Sequence, residues 1–265
     1  MASHETIDVT IDGGAAKILL NRPDALNAWN EQFGRDLNDA ISTIGADDAA
    51  RALLITGAGR AFSSGADLKE TRSAEDGDGV PDLSARLKEI YHPIIIGIRE
   101  MPKPVVAAVN GPAVGIGASL ALAADLIVAA ESAYFLLAFV NIGLIPDGGS
   151  TAFLPARIGL ARSTEMAMLG EKVPAKQALE WGMINRVVGD DDLAGEGKAL
   201  LERLAKGPTK SYAGAKKLLN RRVYADIEGQ LEAEADAQRE QGSSQDFIEG
   251  VMAFIQKRDP NFTGS

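Results

Sequence analysis

Polar and apolar residues alternate from Thr6 to Ile11, break at Asp12-Gly13-Gly14 and resume from Ala16 to Leu20. Two period-two segments around a glycine-bearing turn signal predict a β-hairpin. After Asn21-Arg22-Pro23 the period lengthens: Trp29, Phe33, Leu37, Ile41 and Ile44 fall on one stripe, which predicts a helix with one buried face. Residues 51–56 (RALLIT) then read as a buried strand ending in Gly57-Ala58-Gly59. Strand, helix, strand in that order predicts a mixed α/β layer.

The polar, glycine-rich stretch 73–82 is expected to be a surface loop. A helix is expected from about Leu83 to Glu100, stopped by Lys103-Pro104, and a second buried strand from Val105 to Val109. Asn110 to Gly117 reads as a glycine-bearing turn opening a helix from about Ile116 to Ala124, with a third strand at Asp125 to Ala129. The unit of strand, glycine-bearing loop and helix thus occurs twice, at 51–70 and 105–124, and a spiral of such units would set the two loops side by side. From about Arg162 the pattern is helical: a helix from Pro174 to Trp181-Gly182, then helices at 192–206, 208–223 and 226–240. Residues 1–200 are read as the core and 201–265 as a C-terminal helical region.

Composition narrows the chemistry. The 265 residues hold no cysteine and two histidines, which excludes thiolate nucleophiles, iron–sulfur clusters and Cys-built zinc sites, and no metal site is expected. A net charge of −10 argues against nucleic acid and anionic lipid as partners. The apolar run from Val105 to Ala130 is interrupted by Asn110, Pro112, Asp125 and three glycines, against a membrane span. The opening MASHETIDVTIDGG lacks a basic start and apolar stretch, so the expected location is the cytoplasm. His4 is expected to be solvated at a frayed end.

Two segments offer chemistry through their backbone. In residues 57–68 (GAGRAFSSGADL) and 110–120 (NGPAVGIGASL), a small-residue loop turns toward a helix, exposing N–H groups that can hold an anion or a developing oxyanion. The Gly-x-Gly of the second loop lacks the third glycine and the distant acidic residue of a dinucleotide fingerprint. Asp147, in Ile145-Pro146-Asp147-Gly148-Gly149, reads by itself either as a turn or cap residue or as a carboxylate for acid–base work.

AFSSGADLKE and PKPVVAAVNGPAVGIGASLALAADLIVAA together resemble the signature blocks of the crotonase (enoyl-CoA hydratase/isomerase) superfamily. The resemblance runs from LNRPDALNAW through GLIPDGGSTAFLPARIG and EWGMINRVV to EGVMAFIQKRDPNFTG, and the later blocks look most like ring-1,2-epoxyphenylacetyl-CoA isomerases. It implies an α/β fold, a spiral of ββα units with a C-terminal helical region for trimerisation and as a CoA lid, and a homotrimer or dimer of trimers. It implies acyl-CoA thioesters as substrates, coenzyme A entering as part of the substrate and no permanently bound cofactor. By position, the N–H groups of Ala66 and Ile116 would form an oxyanion hole around the thioester carbonyl. The two glutamates of hydratases fall here on Ser119 and Phe139, neither of which can act as a carboxylate. Asp147 stands where relatives lacking both glutamates carry an aspartate facing the acyl group. Burial beside Phe139, Ile142 and Leu144 should raise its pKa.

The resemblance further implies CoA or acyl contacts at Arg22, Asp24, Ala25, Leu26, Ser64, Asp67, Leu68, Lys69, Val114, Gly115, Phe139, Ile142 and Lys257. His92 aligns with a base of the 4-chlorobenzoyl-CoA dehalogenase and is a candidate second acid/base or a helix-opening cap. An isomerase using Asp147 as its one carboxylate is therefore expected. An enoyl-CoA hydratase, a hydrolytic dehalogenase and a non-catalytic CoA-binding scaffold are the alternatives.

Overall fold

The computed structural model of this chain describes residues 4–68 and 82–265. Lys69 and the loop expected at 73–82 lie outside the described residues, save Asp82, whose carboxylate accepts from Ser84 and Ala85 N–H and opens the next helix.

Strands β1 (Ile7–Asp12) and β2 (Ala15–Leu20) pair antiparallel, and their two-residue turn puts Gly13 and Gly14 at φ 55° and 86°. Both turn residues need the left-handed region, which glycine enters without a Cβ clash. Helix α1 (Glu31–Ala46) is capped by the Asn30 side chain, and the predicted stripe of Trp29, Phe33, Leu37, Ile41 and Ile44 is wholly buried. Strand β3 (Ala52–Gly57) lies parallel to β2.

The expected helix before Pro104 is present in three parts: α2 (Leu83–Arg86), a π-helical turn (Leu87–Tyr91) and α3 (His92–Glu100). Next come β4 (Val105–Val109), a short β5 (Ala113–Val114), α4 (Ile116–Ala123), β6 (Leu126–Ala130) and β7 (Tyr134–Leu136). The apolar run is thus strands and a helix of the core, and no helix among the described residues is long and apolar enough to cross a membrane. Helix α5 (Ser150–Leu169) bends where Gly159 leaves helical geometry, and β8 (Val173–Pro174), α6 (Ala175–Glu180) and β9 (Arg186–Val188) follow. The chain ends in α7 (Leu193–Lys206), α8 (Thr209–Val223), α9 (Ile227–Gly242) and α10 (Gln245–Gln256).

One sheet has the order β1-β2-β3-β4-β6-β9, parallel from β2 onward, and a smaller sheet has the order β5-β7-β8. Parallel neighbours joined through helices make the expected spiral, an α/β fold with a helical C-terminal region. Residues 200 and 201 both fall within α7, a helix that packs on β3, β4 and β6. Sequence periodicity did not reveal β5, β7, β8 or β9, each of two or three residues, because so short a segment carries less than two periods. It also missed α10 and the first turns of α5.

Candidate active site

The two glycine-bearing loops meet. Ser63 pairs with Ala113 across them, Val114 N–H donates to the Ser63 carbonyl at 2.9 Å, and Ser63 N–H donates to the Pro112 carbonyl at 3.0 Å. Glycines allow this approach: a Cβ on Gly65 would lie 2.9 Å from the Val114 oxygen, and one on Gly117 would lie 2.6 Å from Ser63 Cβ. No rotamer relieves a Cβ clash, so a side chain at either position would drive the loops apart.

Side chains fasten the first loop from both flanks. Asn27, with φ 55°, donates to the Ala58 and Ala61 carbonyls and accepts from Arg22 N–H. Asn110 accepts from Gly57 N–H and donates to the Gly59 and Ala61 carbonyls. The sequence reading placed Asn110 at the start of a turn but gave neither asparagine this fastening role, although both sit in turn-forming contexts where a side-chain amide competes for backbone groups. Ala66 is tied through its neighbours, since Trp29 N–H donates to the Gly65 carbonyl and Asp67 N–H to the Trp29 carbonyl. Ala66 is exposed, and Ile116 is the first residue of α4, where an N–H has no partner within the helix. Gly115 before it has φ 53°, and the Phe139 ring lies against Gly115, 3.7 Å from where a Cβ would be.

Asp147 closes the arrangement. A Cβ on Gly148 would lie 2.4 Å from Ile116 Cδ1 and 2.9 Å from Ser119 Cβ, so the Pro-Asp-Gly-Gly turn is pressed onto the start of α4. Ser119 Oγ donates to the Asp147 carbonyl at 2.7 Å, and Ser150 Oγ donates to the same oxygen at 2.9 Å. Ser119 therefore anchors the backbone of the carboxylate-bearing turn. Asp147 is 4% exposed; Oδ2 accepts from Gln238 Nε2 at 2.9 Å, and Oδ1 has no hydrogen-bond partner among the described residues. Burial, reinforced by the nearby Glu234 carboxyl and opposed by the Gln238 bond, pushes the Asp147 pKa up to about 8. The sequence reading had the direction and the first cause but not Glu234 or Gln238, which lie 87 and 91 residues further on by number.

Other expected contacts are distributed around this centre. Arg22 donates to the Ala28 carbonyl and lies 3.3 Å from Asp67, so it is partly buried in an ion pair. Ser64 N–H and Oγ donate to the Leu26 and Ala25 carbonyls, which joins the 24–26 turn to the first loop; Asp24 is exposed and Leu68 half-buried. Val114 is half-buried on β5 beside Gly115. Ile142 lies in a 3₁₀ turn (Val140–Ile142) against which α10 packs, close enough that a Cβ on Gly250 would be 2.6 Å from Ile142 Cα. Lys257 is exposed at the end of α10, and its neighbour Arg258 pairs with Glu249.

The histidines differ from a surface pair. His92 opens α3 without capping it; its Nε2 is buried with no hydrogen-bond partner among the described residues, and burial lowers its pKa. The charges that bear on it are Glu232 and Lys88, not Asp147. His4 corrects the expectation of a solvated end: its side chain is 9% exposed and lies 3.0 Å from Asp39. Alongside it, Glu5 and Thr6 N–H both donate to Asp36 Oδ2, which ties the N-terminal segment to α1.

The profile described as enoyl-CoA hydratase/isomerase matches residues 10–265. The chain belongs to the enoyl-CoA hydratase/isomerase family. It is 42% identical over 254 residues to the 1,2-epoxyphenylacetyl-CoA isomerase of Escherichia coli, covering 96% of this chain and 97% of that one. It is 43% identical over 265 residues to a protein of Rhodobacter capsulatus named a probable enoyl-CoA hydratase, covering 99% of both. Among solved structures, an enoyl-CoA hydratase from Mycobacterium avium subsp. paratuberculosis superposes with a TM-score of 0.89 at 37% identity, over 98% of this chain and all of that one. Names of both kinds thus occur at equal distance in this enoyl-CoA hydratase/isomerase family member.

Proposed function

We propose that this protein is an acyl-CoA isomerase acting on an enoyl-CoA or epoxyphenylacetyl-CoA thioester, with Asp147 as its acid and base. The observation that carries this reading is the buried carboxyl of Asp147, with one oxygen unpartnered among the described residues, seated on the helix start that follows Gly115. In this reading the thioester oxygen lies between Ala66 and Ile116 N–H, whose hydrogen bonds strengthen as negative charge develops there. Each such donor contributes on the order of 10²–10³ in rate. Asp147 in its carboxylate form takes the proton beside the thioester carbonyl, which leaves the enolate, and returns it at a carbon further along, or assists opening of an epoxide. A raised pKa suits a group that must both accept and give a proton near neutral pH.

CoA recognition in this reading falls to Arg22, Lys257 and the backbone of residues 24–26 and 64–68, with Lys69 as a further candidate. A homotrimer belongs to the same proposal, since Leu160, Met168 and Leu169 on α5 and Leu218 and Leu219 on α8 are exposed apolar residues that self-association would cover.

Hydration is the second reading, favoured by the buried Glu234, a second carboxyl near Asp147 where water addition commonly uses two. Turnover of crotonyl-CoA, trans-3-hexenoyl-CoA and epoxyphenylacetyl-CoA by the purified protein and its Asp147→Asn variant separates the two. Isomerisation abolished in the variant supports the proposal; efficient crotonyl-CoA hydration that survives the substitution overturns it.

A further inference from the structure

Helix α9 brings two buried polar side chains, one turn apart on the same face, to the turn that carries Asp147. Gln238 is 1% exposed, and its Nε2 donates to the Ile145 carbonyl at 2.8 Å and to Asp147 Oδ2 at 2.9 Å. Its orientation is not arbitrary. The Ile145 carbonyl is an acceptor at every pH, so it selects the –NH₂ side of the amide, and the second hydrogen of that group is left for Asp147. Glu234 is 2% exposed; Oε2 accepts from Gly149 N–H at 2.7 Å, and Oε1 accepts from Thr151 N–H at 3.1 Å and from the Thr151 hydroxyl. Helix α5 has only Gly149 at its N-cap, so this carboxyl from another helix takes the place of a capping side chain.

We infer that α9 supplies the partners that set the working state of Asp147: Gln238 is a positioning residue that pins Oδ2 and leaves Oδ1 for the substrate, and Glu234 is the like charge that favours the protonated acid. This rests on the acid/base role proposed above for Asp147, and extends it by assigning which oxygen works and what holds its proton. The physical ground is the burial of two carboxyls against the same turn, one on it and one hydrogen-bonded to it. Burial pushes Glu234 up to about 7 against the hydrogen bonds from Thr151 and Gly149, and burial together with the Glu234 charge pushes Asp147 up to about 8. Among the described residues, the other titratable group bearing on Asp147 is the Tyr91 phenol from the π-helical turn, which burial raises and which stays neutral throughout.

The two helix residues pull in opposite directions. Removing the Glu234 charge should make Asp147 easier to ionise, and removing the Gln238 donor should make it harder. The test is an infrared titration of the Asp147 carboxyl stretch, isolated by subtracting the Asp147→Asn spectrum, in the parent protein, in Glu234→Gln and in the near-isosteric Gln238→Met. The expected result is a midpoint lowered by about one unit or more in Glu234→Gln and raised in Gln238→Met. With trans-3-hexenoyl-CoA, Gln238→Met should lose about tenfold or more in kcat with KM within about twofold, as a misplaced general base would. Unmoved midpoints in folded variants would overturn the inference, because a structural role predicts loss of stability without a shift in titration. If Glu234→Gln does not fold, Gln238→Met decides by itself. Because the spectrum is independent of turnover, an Asp147→Asn variant that retains isomerisation would sink the proposed function while leaving the pairing to be judged on its midpoints.

Discussion

Asp147 is gripped twice, by different parts of the molecule. Its backbone carbonyl is held by Ser119 of α4 and Ser150 of α5, neutral hydroxyls within the spiral. Its carboxyl is held by Gln238 of α9, beside a second ionisable group. The first grip is blind to pH and the second is not. Where the acid sits and whether it carries its proton are therefore separable properties, and substitutions on the two sides should fail in different ways.

The largest effect should come from the residue both regions hold. Asp147→Asn keeps the shape and removes the proton carrier, and its kcat on trans-3-hexenoyl-CoA should fall by about 10²–10⁴ with the secondary structure unchanged by circular dichroism. Next is Gly117→Ala on the spiral side. A Cβ there meets Ser63 Cβ at 2.6 Å and the Ser63 carbonyl at 2.7 Å, so the loops must separate. A loss of stability of about 3 kcal/mol or more is expected, and a denaturant midpoint matching the parent would show that the loop junction is softer than described.

A third effect is carried by the α9 side and has a definite sign. Burial lifts the carboxyls of Asp147 and Glu234 from their ordinary range to about 8 and about 7, so the folded chain holds more protons than the unfolded one from about pH 4 upward. Their contribution to stability is complete below that range and is lost as pH rises through the raised values. Calorimetry should show Tm falling between pH 5.5 and 8, and Asp147→Asn should reduce that fall by about 5 °C. An identical pH slope in both proteins would mean that Asp147 titrates as an ordinary carboxyl. In catalysis the sign is opposite: kcat/KM for proton abstraction should climb with pH toward about 8, where Asp147 becomes a carboxylate.

Smaller still is Ser119→Ala, which removes one of two hydroxyls on the Asp147 carbonyl. It should cost about 1–2 kcal/mol and lower kcat severalfold without moving the pH midpoint, because the α9 grip is intact. The smallest is Lys257→Ala at the exposed end of α10, with KM for the thioester raised about twofold and kcat unchanged.

Legibility in the sequence followed the same division. The hairpin, the stripe on α1 and the paired loops could be read because each signal is local: alternation, a 3.6-residue period, glycines ending a buried strand. Asp147 could be read as chemistry through its Pro-Asp-Gly-Gly context and the resemblance that surrounds it. Glu234 and Gln238 could not. On a long polar helix such as Ile227–Gly242 they look like solvated polar residues, and only the docking of α9 on the 145–151 turn distinguishes them from Glu232 or Glu240. His4 was misjudged for the same reason, since nothing near it in sequence announces Asp39.

The distance in sequence between the two grips also orders events during synthesis. Asp147 is made 91 residues before the amide that pins its carboxyl, which is about 5–20 s at ordinary elongation rates. Until α9 docks, the Asp147 carboxyl has neither the Gln238 bond nor the neighbouring Glu234 charge. A ribosome-bound chain halted before residue 238 would therefore carry the aspartate without the amide that pins it in the finished fold.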